Sequence, residues 1–217
     1  MRTFCALLAV AAVLVPTSAA PQAVTVGQAV EGVCFPFNCY GETGHTRYQQ
    51  LYAASAFSGP IVFNRLTFFG DASANAQINA GNYSIRFSTT TASINGLNPL
   101  MNANVGTPLV QFFSGFLDGG LSIAGSTVAY DPALGNLLMD VTITGQTSTG
   151  NSRTLDGEGP VDGVGEITRV YGNEFAGTTD GSGVVTQFSA TPEPLSLLLA
   201  GTGLGTIMAA RRRRNRN

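Results

Sequence analysis

The 217-residue chain contains no lysine and no tryptophan, one histidine and three cysteines, and only 11% of its residues are charged. Every basic residue is therefore an arginine. No basic stripe runs through the chain, which argues against a nucleic-acid binder. The absence of tryptophan removes one side chain suited to stacking on sugars. Glycine-rich phosphate-binding motifs are also missing, so the 27 glycines read as turn residues. What remains is apolar. A hydrophobic fraction of 44% supplies a packed core and excludes a wholly disordered chain. The length suits one domain with tails. The net charge of −2 is either a bland surface or an average over unlike segments.

The first segment carries Arg2 ahead of an apolar run from Cys5 to Val15, followed by Pro16-Thr17-Ser18-Ala19-Ala20. A short positive region, an apolar core and small residues at the end make a secretory signal peptide, with cleavage after Ala20. The run is short for a membrane span. Cys5 precedes the apolar run rather than sitting at the cleavage point, which is not a lipoprotein arrangement.

At the other end, Pro192-Glu193-Pro194 precedes sixteen uncharged residues, Leu195 to Ala210, and then Arg211, Arg212, Arg213 and Arg214, with Arg216 beyond. As a helix the apolar run rises about 24 Å, slightly less than the hydrocarbon core of a bilayer. The prolines disfavour helix upstream. The arginines would keep the end cytoplasmic and leave the middle of the chain outside the inner membrane. These three parts, in this order, closely resemble the PEP-CTERM sorting signal of Gram-negative bacteria. The resemblance covers about 27 residues, 191–217. It implies recognition and processing near Pro192-Glu193-Pro194 by exosortase, a membrane-embedded cysteine transpeptidase. It also implies delivery to the cell surface or to an exopolysaccharide-rich extracellular matrix, as in a biofilm. An ordinary single-span tail anchor is the plainer alternative.

Residues 21–190 contain five arginines and twelve acidic residues, a net charge of −7. That acidity argues against direct binding to polyanions. Apolar residues alternate with polar ones through Tyr83–Ser88, Leu137–Thr144 and Val184–Ser189, the period of a half-buried strand. Ile61–Phe69 reads as a central strand. Further strands are expected near Val24–Val30, Arg47–Tyr52, Pro108–Phe113, Leu121–Ala124 and Glu166–Tyr171. Asp180-Gly181 has the chemistry of a hairpin turn. No amphipathic helix of ordinary length stands out. Eight to ten short strands predict an all-β, two-sheet β-sandwich or jelly-roll-like domain. Arg47–Tyr52 with Ser55–Phe57, and Gly135–Val141, also look like the β-rich passenger regions common in PEP-CTERM proteins. That likeness implies no defined enzymatic activity.

Cys34 and Cys39 survive signal removal, and in an oxidising compartment they most simply form a disulfide. His45 lies nearby, but Cys-Cys-His lacks a fourth zinc ligand. The same histidine would be the base of any Ser-His-Asp arrangement, yet neither Ser114 nor Ser182 sits in a Gly-x-Ser-x-Gly elbow. Asp156-Gly157-Glu158-Gly159 reads as a solvated loop. Its alternatives are calcium coordination by Asp156, Glu158 and Asp162, or paired-carboxylate catalysis. Tyr48, Tyr52 and Tyr171 are either sugar-stacking residues or core packing. The sequence thus points to an exported, non-enzymatic surface or matrix protein, structural or adhesive and linked to exopolysaccharide. A secreted glycan-binding module or a surface hydrolase is the alternative.

Overall fold

A computed structural model describes residues 23–38, 46–70, 76–147, 154–160, 165–173 and 177–190. Among these residues the chain is all-β, with thirteen strands in three antiparallel sheets and no α-helix. The largest sheet has the order β11 (Gly177–Asp180), β10 (Ile167–Gly172), β3 (Arg47–Tyr52), β8 (Asn136–Thr144), β5 (Ile78–Thr90) and β6 (Val110–Gly119). A four-stranded sheet runs β1 (Val24–Val26), β13 (Thr186–Ser189), β4 (Ile61–Phe68) and β7 (Ser122–Tyr130). A third sheet joins β12 (Gly183–Val184), β9 (Leu155–Glu158) and β2 (Glu31–Val33).

Alternation explains how the two larger sheets meet. On β5, Tyr83, Ile85 and Phe87 are buried while Asn82, Ser84 and Arg86 face the other way. Phe87 and Tyr52 of the six-stranded sheet meet Phe63 and Phe188 of the four-stranded sheet. Tyr52–Phe188 and Phe63–Phe87 are edge-to-face pairs with centroids 5.0 and 5.1 Å apart. Phe112 joins them at 5.7 Å from Phe87 and 6.1 Å from Phe63. Edge-to-face rings satisfy the aromatic quadrupole and fill volume at once. Tyr48 and Tyr52 belong to this buried layer, which answers the question the sequence left open about them.

Several expectations change. The strand expected near Val24–Val30 ends at Val26, as β1 on β13, and a separate short strand, β2, follows at Glu31–Val33 in a different sheet, on β9. The alternating run at Val184–Ser189 is likewise cut, with β12 pairing with β9 and β13 with β4. Asp180-Gly181 is not a hairpin turn. The strands on either side of it pair elsewhere, β11 with β10 and β12 with β9, so the chain passes there from one sheet to another. The solvated loop expected at Asp156–Glu158 is strand β9, the centre of the third sheet. Gly157 is what permits it: a Cβ there would come within 2.5 Å of Val33 Cγ1 across the β9–β2 pair. The expected pair of sheets is therefore three. No helix of the described residues is long and apolar enough to cross a membrane, and the span expected at 195–210 lies outside them.

The aromatic layer fills the core between the two larger sheets. Phe188→Ala should lower the unfolding free energy by about 3–5 kcal/mol in urea titration, the usual cost of deleting a buried ring. A loss below about 1 kcal/mol would contradict the packing described. Alkaline pH tests the same layer. Burial pushes the Tyr83 and Tyr130 phenols up to about 12 and raises Tyr48 and Tyr52 as well. A folded value above the unfolded value of about 10 gives stability that is full below pH 10 and is lost as pH rises toward 12. Phenolate absorbance at 295 nm should therefore rise together with the loss of folded circular dichroism. Titration of these four tyrosines near pH 10 in a folded chain would refute it.

Candidate functional site

The outer face of the six-stranded sheet, turned away from the aromatic layer, is ordered in rows by strand register. One row runs Thr168, Leu51, Leu138 and Ser88 across β10, β3, β8 and β5. The next runs Val170, Gln49, Asp140, Arg86 and Gln111. Then come Gly172, Arg47, Thr142, Ser84 and Ser114, and finally Thr144, Asn82 and Phe116. Exposure changes along this order. Thr168, Leu51, Leu138 and Ser88 are all buried, whereas Thr144, Asn82 and Phe116 are all exposed.

The covered part lies under the connection 91–109. Its Leu97 and Met101 pack on Leu51, Leu138 and Val170 as a second, small core. Polar bonds tie the same connection down. Gln49 donates to the Met101 carbonyl at 3.0 Å and accepts from Asn104 at 2.9 Å.

Asp140 marks the boundary between covered and open halves. Its side chain is 1% exposed, and Arg47 grips it with two bonds of 2.8 Å, from Nε to Oδ1 and from Nη2 to Oδ2. Arg86 Nη2 adds a third bond to Oδ2, also at 2.8 Å. Arg47 continues through Nη1 to Asn102 Oδ1 at 2.6 Å, reaching the connection above. A buried charge is tolerated only when paired and fully hydrogen-bonded, and the fork of an arginine matches a carboxylate in both respects.

Beyond Asp140 the outward positions of β8, β5 and β6 carry hydroxyls and amides, one ring and, at the end of β6, the exposed Asp118 carboxylate. Phe116 is 63% exposed on β6, the last strand of the sheet. Around it, Asn82, Ser114, Thr142 and Thr144 have no side-chain hydrogen bond among the described residues, while Gln111 is braced on Ser84 and on the Ile85 carbonyl. The strand expected near Pro108–Phe113 runs on to Gly119 and carries Phe116 outward together with Ser114.

Other residues singled out from the sequence fall elsewhere. Cys34 is disulfide-bonded, and its expected partner Cys39 lies outside the described residues. So do His45, Asp162, Pro192, Glu193, Pro194 and Arg211, Arg212, Arg213 and Arg214. Asp156 and Glu158 share β9. The Glu158 carboxylate is fully buried and accepts three backbone amides, from Glu166 at 2.8 Å, Ile167 at 3.4 Å and Gln28 at 3.2 Å. It stitches the third sheet to the start of β10 and to the segment after β1. No group of three or more His, Cys, Asp or Glu side chains converges among the described residues. Ser114 is exposed on β6, and Ser182 is buried with its amide on Asp180. Tyr171 stacks on Phe35 at 4.4 Å, with the Arg169 guanidinium 5.2 Å from its ring. A cavity of about 210 Å³ lined by Asn95, Thr168, Thr179, Asp180 and Gly181 lies at the opposite end of the sheet from Phe116.

No protein-family model, curated protein or solved structure matches the chain.

The shared carboxylate gives a direct test. Asp140→Asn preserves shape but leaves two guanidinium groups without their counter-charge. It should cost about 3–5 kcal/mol of stability, as removal of one partner from a buried ion pair does. Denaturant unfolding that shows a change within about 0.5 kcal/mol would contradict the role assigned to this network.

Proposed function

We propose that the chain is an exported protein of the cell surface or extracellular matrix, sorted through a PEP-CTERM signal and structural or adhesive rather than catalytic. The observation that carries this reading is the three-part end of the chain, Pro192-Glu193-Pro194, an uncharged run and an arginine cluster, combined with a signal peptide at the start. In this reading residues 1–20 export the chain. Residues 195–210 hold it transiently in the inner membrane, and exosortase acts at the Pro-Glu-Pro segment. Residues 21–190 form the passenger, a β-sandwich of jelly-roll type to which the interlocked aromatic layer and its edge-to-face pairs lend support.

Two structural features support the same reading. A disulfide at Cys34 suits an oxidising compartment. The buried Glu158 carboxylate is taken up by backbone amides, which is the work of a structural residue rather than of a catalytic acid. The open rows of hydroxyl and amide groups beside Phe116 favour contact with glycans over hydrolysis of them.

Sorting is tested by fractionating cells that express the full chain, with mass spectrometry of its C-terminus. The wild-type chain should lose its tail and leave the inner membrane. Glu193→Gln, or deletion of 211–216, should leave an unprocessed chain in the inner-membrane fraction. Normal processing of both variants would overturn the sorting reading.

A further inference from the structure

We propose that the open half of the outer sheet face, centred on Phe116, is the surface on which a neutral, extended polysaccharide lies; this rests on the surface-protein reading above and names its ligand class. Strands are spaced about 4.8 Å apart and same-face residues along a strand about 6.8 Å apart. Three strands and three rows therefore make an open platform of roughly 10 by 14 Å, enough for a short run of pyranose rings.

The chemistry of the platform matches a sugar polymer on three counts. Phe116 presents an exposed ring on which the C–H face of a pyranose can stack. Asn82, Ser114, Thr142 and Thr144 lie beside it with donor–acceptor groups that no other side chain or backbone group engages among the described residues, and sugar hydroxyls also both donate and accept. The charge is matched as well. Arg86 and Asp140, the only charged residues of the three rows on β8, β5 and β6, are already bonded to each other. Arg86 is 30% exposed but held on Asp140, and Asp118, the next outward residue after Phe116 on β6, is an exposed acid; the face and its domain of net charge −7 therefore both disfavour polyanions. An open sheet face rather than a deep cavity also suits an extended chain bound along its length instead of a small molecule enclosed on all sides.

The test uses the full chain purified in detergent, with dextran, hydroxyethylcellulose and laminarin as neutral probes and alginate as the polyuronate, in affinity electrophoresis. At least one neutral polymer should retard the wild-type chain and alginate should not. Phe116→Ala should weaken retardation about tenfold or more, equivalent to about 1.4 kcal/mol. Leu134→Ala, at a side chain 69% exposed on another part of the surface, should leave it unchanged. Thermal melts of both variants should stay at the wild-type value. Failure of all three neutral polymers to bind, preferential binding of alginate, or equal binding by Phe116→Ala would each overturn the proposal. Loss of a dimer in Phe116→Ala on light scattering would overturn it too, by showing that a second copy covers the face. A chain that reaches the cell surface normally but fails these binding tests refutes the ligand and leaves the sorting reading standing.

Discussion

The ion cluster at Asp140 is the constraint on which the arrangement of the large sheet depends. One buried carboxylate on β8 receives two bonds from Arg47 on β3 and one from Arg86 on β5, which ties three neighbouring strands by their side chains as well as by their ladders. An unpaired carboxylate in this position would cost several kcal/mol. Because Arg47 also reaches Asn102, the same cluster fixes where the connection 91–109 sits. Apolar Leu51, Leu138 and Val170 lie under that connection on one side. Hydroxyl and amide groups lie open on the other. A single electrostatic device thus separates a covered half of the sheet from an exposed half.

The opposite face has a different logic. There, rings from both larger sheets interlock, and the strands most deeply buried carry bulk on both sides. Leu137, Leu138 and Met139 of β8 form an unbroken apolar run because Leu137 and Met139 enter the aromatic layer while Leu138 enters the small core under the connection. A strand buried on both faces loses clean alternation, which is the pattern expected when a sheet has cover on both sides. β6, at the sheet edge, keeps alternation and exposes Phe116.

How much of this the sequence disclosed follows from the same physics. The all-β class and the strands through Tyr83–Ser88 and Leu137–Thr144 were legible, because alternation and turn residues report on local geometry alone. The third sheet was not. Asp156-Gly157-Glu158 has the composition of a turn, and only the approach of Val33 and the amides of Gln28, Glu166 and Ile167 convert it into a strand with a buried acid. Sheet membership was hidden for a related reason. The run at Val184–Ser189 is continuous in sequence, yet neighbouring residues take partners from different sheets, a choice that long-range contacts make. Of the open face, the rows follow from cross-strand register, which no single segment encodes; Arg86, Asp140 and Phe116 stand far apart in the chain and gain meaning only when β5, β8 and β6 pair.

The proposed sorting signal and the proposed ligand of the sheet face answer separate questions, where the chain goes and what it meets there. In the proposed reading the acidic passenger and the arginine tail lie on opposite sides of a membrane, and the hydroxyl and amide face beside Phe116 is the part that acts outside the cell. The most direct measurement is hydroxyl-radical footprinting of the full chain with and without the neutral polysaccharide that binds it. Oxidation of Phe116 should fall relative to that of Leu134 and Leu100, side chains of similar exposure (63% against 69% and 58%) elsewhere on the surface. Equal protection of all three, or protection confined to Leu134 or Leu100, would contradict the account.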